Sequence, residues 1–419
     1  MIEWSEQHLM IRDAVRRFVD AEIVPNLEEL EHGDMPPYDL LRKLFSTFGM
    51  DEMARSRFER DKKAAAGADK KAEKPAAKSD QEELVPPGSV GAKGDAAAMT
   101  LIPIIELCRY CPGMVTAMGV SMGLAGGAVM SKGTQAQKER WGLDLLTLDK
   151  VGAWAITEPG SGSDAFGGMK STARRKEGGG YILNGSKTFI TNGPYADTII
   201  FICKLEEEGV PSRDRKILNF VLDRGMKGLE QSKPMRKMGL HSSPTGELFL
   251  ADVEVEADRL LGETEEQPSR SGAKETFSTE RSGVAAMALG IVERCLELSV
   301  KYAKERVQFE KPIGDFQLVQ LKLARMEVAR TNIQNLVFRH IEMADAGRRP
   351  TLAESSAMKL YSAQAAMEVA LEAVQIYGGN GYMSEYQVEQ LCRDAKVLQI
   401  YAGTDEIQVS SIARDLLAG

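Results

Sequence analysis

The chain has 419 residues, of which 43% are hydrophobic and 27% charged, with a formal net charge of −8. That length exceeds one ordinary core and asks for two or three domains, and the composition is that of a globular protein. The acidic balance argues against a general nucleic-acid binder, because nothing would offset phosphate repulsion over the whole surface, but it leaves room for a local basic groove around an anionic cofactor.

The N-terminus Met1-Ile-Glu-Trp-Ser-Glu6 lacks a basic region followed by an apolar run, and no uninterrupted apolar stretch is long enough to span a bilayer. A cytoplasmic chain is the expectation. Five cysteines are an odd and sparse set, which reads as reduced and intracellular. Cys108-Arg-Tyr-Cys111 has the gap of a metal or redox pair, but no second pair exists and none of the four histidines is near it. Helix packing is the expected role, with no metal.

Residues 3–31 read as a helix, with Leu9, Ile11, Val15, Phe18, Val19 and Ile23 at helical spacing and Ser5 as its cap. A second helix covers 38–48. From about Arg55 to Gly94 the chain is rich in Lys, Ala, Glu and Gly, with almost no bulky apolar residue after Phe58, and reads as a mobile surface insertion or solvated linker. Helical character returns over 99–130 and the segment 141–150 closes the region. Near Val151 turns become frequent and short apolar runs appear, including 181–183, 187–191, 198–203, 217–222 and 247–253. Gly178-Gly-Gly180 and Asn184-Gly185 mark tight turns between strands. From about Gly272 the helical period returns, with Val284, Ala288, Ile291, Cys295, Leu298 and Tyr302 in one stripe. Further helices are expected around 315–346, 351–377 and 385–397, and short loops between long helices predict an antiparallel bundle. The expected fold is α+β, with an N-terminal helical domain (1–150), a small β-domain (151–265) and a C-terminal four-helix bundle (266–419).

Three stretches carry a specific resemblance. They are Trp154-Ala-Ile-Thr-Glu-Pro-Gly-Ser-Gly-Ser-Asp164, Asn184-Gly-Ser-Lys-Thr-Phe-Ile-Thr-Asn-Gly193, and Gln375-Ile-Tyr-Gly-Gly-Asn-Gly-Tyr382 continuing through Arg393-Asp-Ala-Lys396 to Tyr401-Ala-Gly-Thr404. In order and spacing they resemble the acyl-CoA dehydrogenase family over most of the chain, except for about 50–100. That departure touches the part of the acyl pocket that N-terminal helices build in the family.

The resemblance implies FAD, held without a strand–GxGxxG–helix unit, which is absent here. Trp154, Ile156, Thr157 and Ser163 belong to the first motif, a Gly/Pro-rich turn whose hydroxyls and amides can donate to flavin or phosphate, and Ser163 also falls at a substrate position. Phe189 and Thr191 lie two apart on a strand and so share a face. The family pattern puts Phe189 over the isoalloxazine ring and Thr191 at the flavin's redox nitrogen, whereas the spacing alone also suits a core aromatic and a satisfied threonine. Arg306, Gln308 and Gln317 match contacts to the FAD of a neighbouring subunit, and Gln375, Gly378 and Gly379 match the loop that accepts its adenosine-diphosphate part. On its own Arg306 reads equally as a surface ion pair. Thr404 and Glu406 match positions near the adenine side. If these matches hold, FAD binding needs a dimer or tetramer, and an electron-transfer flavoprotein is the implied partner.

Most family members carry a glutamate where this chain has Ala402, and that glutamate removes the substrate α-proton. Alanine keeps the backbone N–H that the family uses to hold the thioester carbonyl. Glu280 lies in Phe277-Ser-Thr-Glu-Arg-Ser-Gly283 and shares a helical face with Val284, Met287 and Ile291. Its position matches the alternative base site of isovaleryl-CoA and long-chain dehydrogenases. Its other reading is a first-turn glutamate that complements the helix dipole. Arg281 matches a family arginine near the active site, or else pairs a surface acid. Tyr401 and Gly403 flank Ala402 as substrate contacts, Asp405 has no assigned role, and His241 reads as structural. The implied activity is FAD-dependent α,β-dehydrogenation of an acyl-CoA. Its rivals are a same-fold flavin oxidase or monooxygenase, and a flavin- or CoA-binding protein that has lost catalysis.

Overall fold

The computed structural model describes residues 3–69, 95–266 and 271–418, with side chains over 3–64, 97–266 and 280–418. Helical, β and helical regions follow one another along the chain, as hydrophobic periodicity predicts.

Helix α1 (Glu6–Phe18) starts at Ser5, whose hydroxyl accepts from the His8 amide while the His8 ring accepts from the Ser5 amide. Two donors at the helix start are thereby satisfied. The single helix expected over 3–31 is broken. Val19–Ile23 widens, Val24–Asn26 tightens, and α2 (Leu27–His32) resumes the α-helix, because Pro25 has no N–H and its ring blocks a regular turn. Helix α3 (Tyr38–Thr47) follows as expected. Helix α4 (Met50–Asp69) overturns the first part of the expected insertion. Phe58 is buried against Leu143, Met130 and Leu146, and Arg55 and Lys62 pair with Asp149 and Glu139. One aromatic anchor and two ion pairs dock a helix that composition alone reads as solvated. The remainder of that insertion, 70–94, lies outside the described residues.

Helix α5 (Asp95–Cys108) leads into α6 (Pro112–Gly119), a widened turn and α7 (Gly127–Lys132), then α8 (Gln135–Gln137) and α9 (Leu143–Leu146). Pro112–Lys132 is long and apolar enough to cross a membrane by length and composition, which the sequence does not lead one to expect; most of it is buried within the fold. Cys108 and Cys111 are buried, the latter with its Sγ 3.0 Å from Ser242 Oγ.

The sheet comprises β1 (Gly152–Ala155), β2 (Thr172–Arg175), β3 (Tyr181–Thr191), β4 (Thr198–Leu205), β5 (Ile217–Asp223), β6 (Leu229–Gln231) and β7 (Thr245–Val255). Its order is β1-β4-β2-β3-β7-β6, with β5 on β4. Strand β4 is buried on both faces. Ile199, Phe201, Cys203 and Leu205 fill the sheet's own core, while Ile200 packs with Val129, Trp141 and Leu145 of the helical region. Double burial explains its continuous apolar run. Gly178, Gly179 and Gly180 turn the β2–β3 hairpin at positive φ, as expected. Asn184-Gly185 is not a turn. It lies inside β3 at a register shift, where a Cβ on Gly185 would stand 2.2 Å from Ser171 Oγ. The glycine permits a bulge and a close approach instead.

The C-terminal region holds α10 (Ser271–Glu305), the hairpin β8 (Val307–Gln308) and β9 (Lys311–Pro312), α11 (Gln317–Asp345), α12 (Leu352–Tyr377), α13 (Gln387–Val397) and α14 (Asp405–Ala418). It forms the antiparallel four-helix bundle of the expected fold. The α10 stripe from Val284 to Cys295 is buried, with Leu298 and Tyr302 packed against the same core. Gly290 lets α10 close on α5, since a Cβ there would stand 2.2 Å from the Ile105 carbonyl oxygen. Helix α12 starts with a reciprocal cap between Thr351 and Glu354.

Candidate active site

The loop between α13 and α14 carries Ala402 at φ 53° and Gly403 at φ 85°. A left-handed alanine is strained and persists only where its surroundings hold it. Gln408 Nε2 donates to the carbonyl oxygens of Ala402 (2.9 Å) and Gly403 (2.7 Å). Lys359 Nζ donates to the Gly403 carbonyl at 3.0 Å and lies 3.3 Å from Asp405 Oδ1. Both carbonyls are therefore turned onto buried donors. The Ala402 N–H donates to none of the described residues.

Glu280 sits nine residues into α10. That removes the first-turn reading, because dipole effects fade within one turn. The residue is half-buried with its carboxyl turned inward, and burial pushes its pKa up to about 7 against the opposing charges of Arg281 and Lys359. Arg281 is buried rather than paired with a surface acid. One terminal nitrogen donates to Ser356 Oγ at 2.8 Å, the other lies 3.5 Å from where a Cβ of Gly403 would stand, and its Nε has no partner among the described residues. The Tyr401 hydroxyl is 3.2 Å from Met287 Sδ, two turns along α10 from Glu280, and burial pushes the Tyr401 pKa up so that the phenol stays neutral. Glu280, Arg281, Tyr401, Ala402 and Gly403 thus meet at one end of the bundle. Lys359, Ser356 and Gln408 belong to the same place and escape sequence reasoning. Lys359 is a fully buried cation in a helix rich in alanine and serine, and its burial is not visible in the sequence. Asp405, given no role from sequence, pairs with Lys359 and accepts from Gln364 at 3.2 Å.

The expected flavin face lies on the β-sheet. Phe189 is 66% exposed at φ 57° and is not a core aromatic. Lys187 pairs with Leu248 and Ile190 with Gly246, so two residues of β3 oppose one of β7. Simple alternation does not carry across such a bulge, yet Phe189 still turns outward while Ile190 is buried and Thr191 half-buried. A buried ion pair braces this surface. Lys187 Nζ is 2.9 Å from Glu158 Oε1 and donates to the Ile156 carbonyl at 3.0 Å. Glu158 accepts from the amides of Lys170 (2.7 Å) and Ser171 (3.0 Å), closing the turn that carries Thr157 and Ser163. The Thr188 amide donates to the Thr157 carbonyl at 3.0 Å, so a hydrogen bond links the turn to the bulge. Trp154, Ile156 and Thr157 are half-buried there, Ser163 is exposed, and Gly160 and Gly162 have open space where a Cβ would stand. An outward aromatic beside hydroxyls and unobstructed glycine backbone fits a flat, polar-edged ring system such as a flavin.

A third group is exposed elsewhere. Arg306 precedes, and Gln308 lies in, a hairpin whose Phe309 is 88% exposed, and Gln317 opens α11. Gln375, Gly378 and Gly379 lie exposed at the end of α12, with nothing within 4 Å of a Cβ at either glycine. The Thr404 hydroxyl faces Glu406 and holds its carboxyl below the usual range, and Glu406 is exposed. No hydrogen bond among the described residues joins this group to the Phe189 surface. The His241 ring nitrogens lie 2.6 Å from the Glu31 carbonyl and 2.9 Å from the Lys237 carbonyl, a structural position as expected.

Residues 5–54, 153–253 and 271–417 match the family models for the acyl-CoA dehydrogenase N-terminal, middle and C-terminal domains. A 3-(aryl)acrylate reductase of Clostridium sporogenes is 34% identical over 416 residues, 99% of each chain. A short-chain specific acyl-CoA dehydrogenase of Megasphaera elsdenii is 39% identical over 323 residues, covering 77% of this chain and 82% of that one. The solved structure of butyryl-CoA dehydrogenase from Megasphaera elsdenii superposes with a TM-score of 0.82 at 32% identity, covering 100% of both chains.

Proposed function

The chain belongs to the acyl-CoA dehydrogenase family of FAD-dependent oxidoreductases, and from that premise we propose that it dehydrogenates its acyl-CoA with Glu280 as the base. One observation carries the reading: a buried carboxyl with its pKa raised to about 7 converges with Tyr401, Ala402 and Gly403 at one end of the bundle. The α-proton of a thioester is weakly acidic, and its removal needs a nearby basic carboxylate and a donor for the enolate oxygen. Glu280 takes the proton. The Ala402 N–H, without a partner among the described residues, donates to the thioester carbonyl. Arg281 holds the Gly403 side of the loop, and the neutral Tyr401 phenol closes the apolar wall beside Met287.

Phe189 would cover the flavin face and Thr191 would bond its redox edge, with Trp154, Ile156, Thr157 and Ser163 along the same surface. When bound, FAD supplies the acceptor for the hydride that leaves the β-carbon. Arg306, Gln308, Gln317, Gln375, Gly378, Gly379, Thr404 and Glu406 would contact the adenosine-diphosphate part. Their exposure and their separation from Phe189 support a cofactor shared between subunits, and hence a homo-oligomer. Electrons would leave through an electron-transfer flavoprotein.

A base on α10 instead of the loop leaves room at position 402 and favours branched or longer acyl groups. The reductase among the relatives supports a second reading of direction. In reverse, Glu280 protonates the α-carbon of an enoyl thioester.

The test is anaerobic mixing of the FAD-loaded protein with a panel of acyl-CoA thioesters. Bleaching of the flavin absorbance supports the reading. No bleaching by any thioester would make the chain a binding protein, and rapid reoxidation in air would make it an oxidase.

A further inference from the structure

Lys359 is the buried charge of this site that the chemistry above does not use. It projects from α12, its side chain is fully buried, and its ammonium acts on the α13–α14 loop, α14 and α10. It donates to the Gly403 carbonyl at 3.0 Å, lies 3.3 Å from Asp405 Oδ1, and its field reaches Glu280 on α10. Burying an ammonium carries a desolvation penalty of several kcal/mol unless hydrogen bonds and opposite charges compensate. On its own helix the buried residues beside it, Ser355, Ser356 and Met358, bring no opposite charge, so the compensation comes from other elements.

We propose that Lys359 is the positioning residue of the active site, fixing the Ala402 loop through Gly403 and Asp405 while presenting a fixed positive charge to Glu280. The inference rests on Glu280 being the base. Two consequences come from one ammonium. With the Gly403 carbonyl tied to Lys359 and Gln408, the peptide chain is held in the left-handed turn that leaves the Ala402 N–H outward. A misplacement of about 1 Å at such a donor lowers a rate by up to about 100-fold. The same charge favours the ionised form of Glu280, so that the base is available near neutral pH. The charged or titratable groups facing this pair are Arg281 and Glu280 on α10, Asp405 on α14 and Tyr401 on the loop. Arg281 acts on Glu280 in the same direction as Lys359. Asp405 opposes Lys359, and Tyr401 is neutral.

The test compares pH profiles of kcat/KM for the FAD-loaded wild type, Lys359→Met, Asp405→Asn and Glu280→Gln. Lys359→Met removes the cation and keeps the shape of the stem. Its acid limb moves to higher pH by about one unit, and kcat falls about 10-fold or more with a smaller change in KM. Asp405→Asn removes the competing negative charge and moves the acid limb to lower pH. Opposite shifts from two substitutions on one contact are a charge signature that loosened packing does not produce. Should Lys359→Met fail to fold, the Asp405→Asn shift still decides. An unmoved acid limb in either variant, with Glu280→Gln inactive, overturns the role of Lys359 and leaves the base assignment standing. Full activity of Glu280→Gln overturns both.

Discussion

Lys359 and Gly403 are joined by a 3.0 Å hydrogen bond from a fully buried ammonium to a loop carbonyl, tying α12 to the residue beside Ala402. The loop is thus held from its carbonyl side. The Ala402 amide itself donates to none of the described residues. With Glu280 as the proposed base, a carboxylate on a long helix and an amide on the loop would divide the work that a single loop glutamate performs in most of the family.

The pH dependence follows from Glu280. A base must be ionised to accept a proton, and burial raises this one to about 7. The kcat/KM profile should therefore fall about 10-fold per unit below about pH 7 and level off above it. Stability runs the other way. A carboxyl whose pKa is raised by folding contributes stability below its unfolded pKa, and that contribution is lost as pH rises through the folded value. Glu280→Gln should equal wild type near pH 4.5 and be more stable above pH 7, by on the order of 2 kcal/mol. Chemical denaturation at the two pH values checks this.

Ala402→Val places a β-branched residue at φ 53°. The left-handed region costs a branched side chain about 1–3 kcal/mol, and the loop should yield before the bundle does. The expected result is a loss of about 10-fold or more in kcat with FAD content unchanged. Ala402→Gly, which relieves the strain, should keep the loop and most of the activity.

Phe189→Ala removes an aromatic ring that is 66% exposed, so the apoprotein should unfold at nearly the wild-type temperature. Loss of the ring contact should weaken FAD binding by about 10-fold or more. Flavin released on dilution and thermal melts of the apoprotein separate these two effects.

Gly290→Ala is a case where helix propensity and packing disagree. Propensity favours alanine in a helix interior by about 1 kcal/mol. The added Cβ, however, would stand 2.2 Å from the Ile105 backbone oxygen and 2.8 Å from the Cys108 Cβ, neither of which is a flexible side-chain end. Overpacking of about 1–3 kcal/mol or more should win, and a lower thermal midpoint is expected.

Much of the fold was legible because apolar spacing switches between two and 3.6 residues where the chain changes architecture. Ser5, the α10 stripe and the three-glycine hairpin were readable from local chemistry alone. What sequence missed depends on contacts distant along the chain. Phe58 is unremarkable until Met130 and Leu146 cover it, and Asn184-Gly185 resembles a turn until Ser171 closes on the glycine. At the site, Glu280 and Ala402 stood out by residue type. Lys359 did not, because only a fold that buries it beside Gly403 and Asp405 gives one lysine among many a distinct environment.

The most direct measurement is the rate of anaerobic flavin reduction in Glu280→Gln loaded with FAD and mixed with an acyl-CoA that bleaches the wild type. Removal of a positioned general base costs about 100- to 10,000-fold, so reduction should slow by that factor while FAD and acyl-CoA still bind. Reduction at the wild-type rate would place the base elsewhere and contradict the assignment of Glu280.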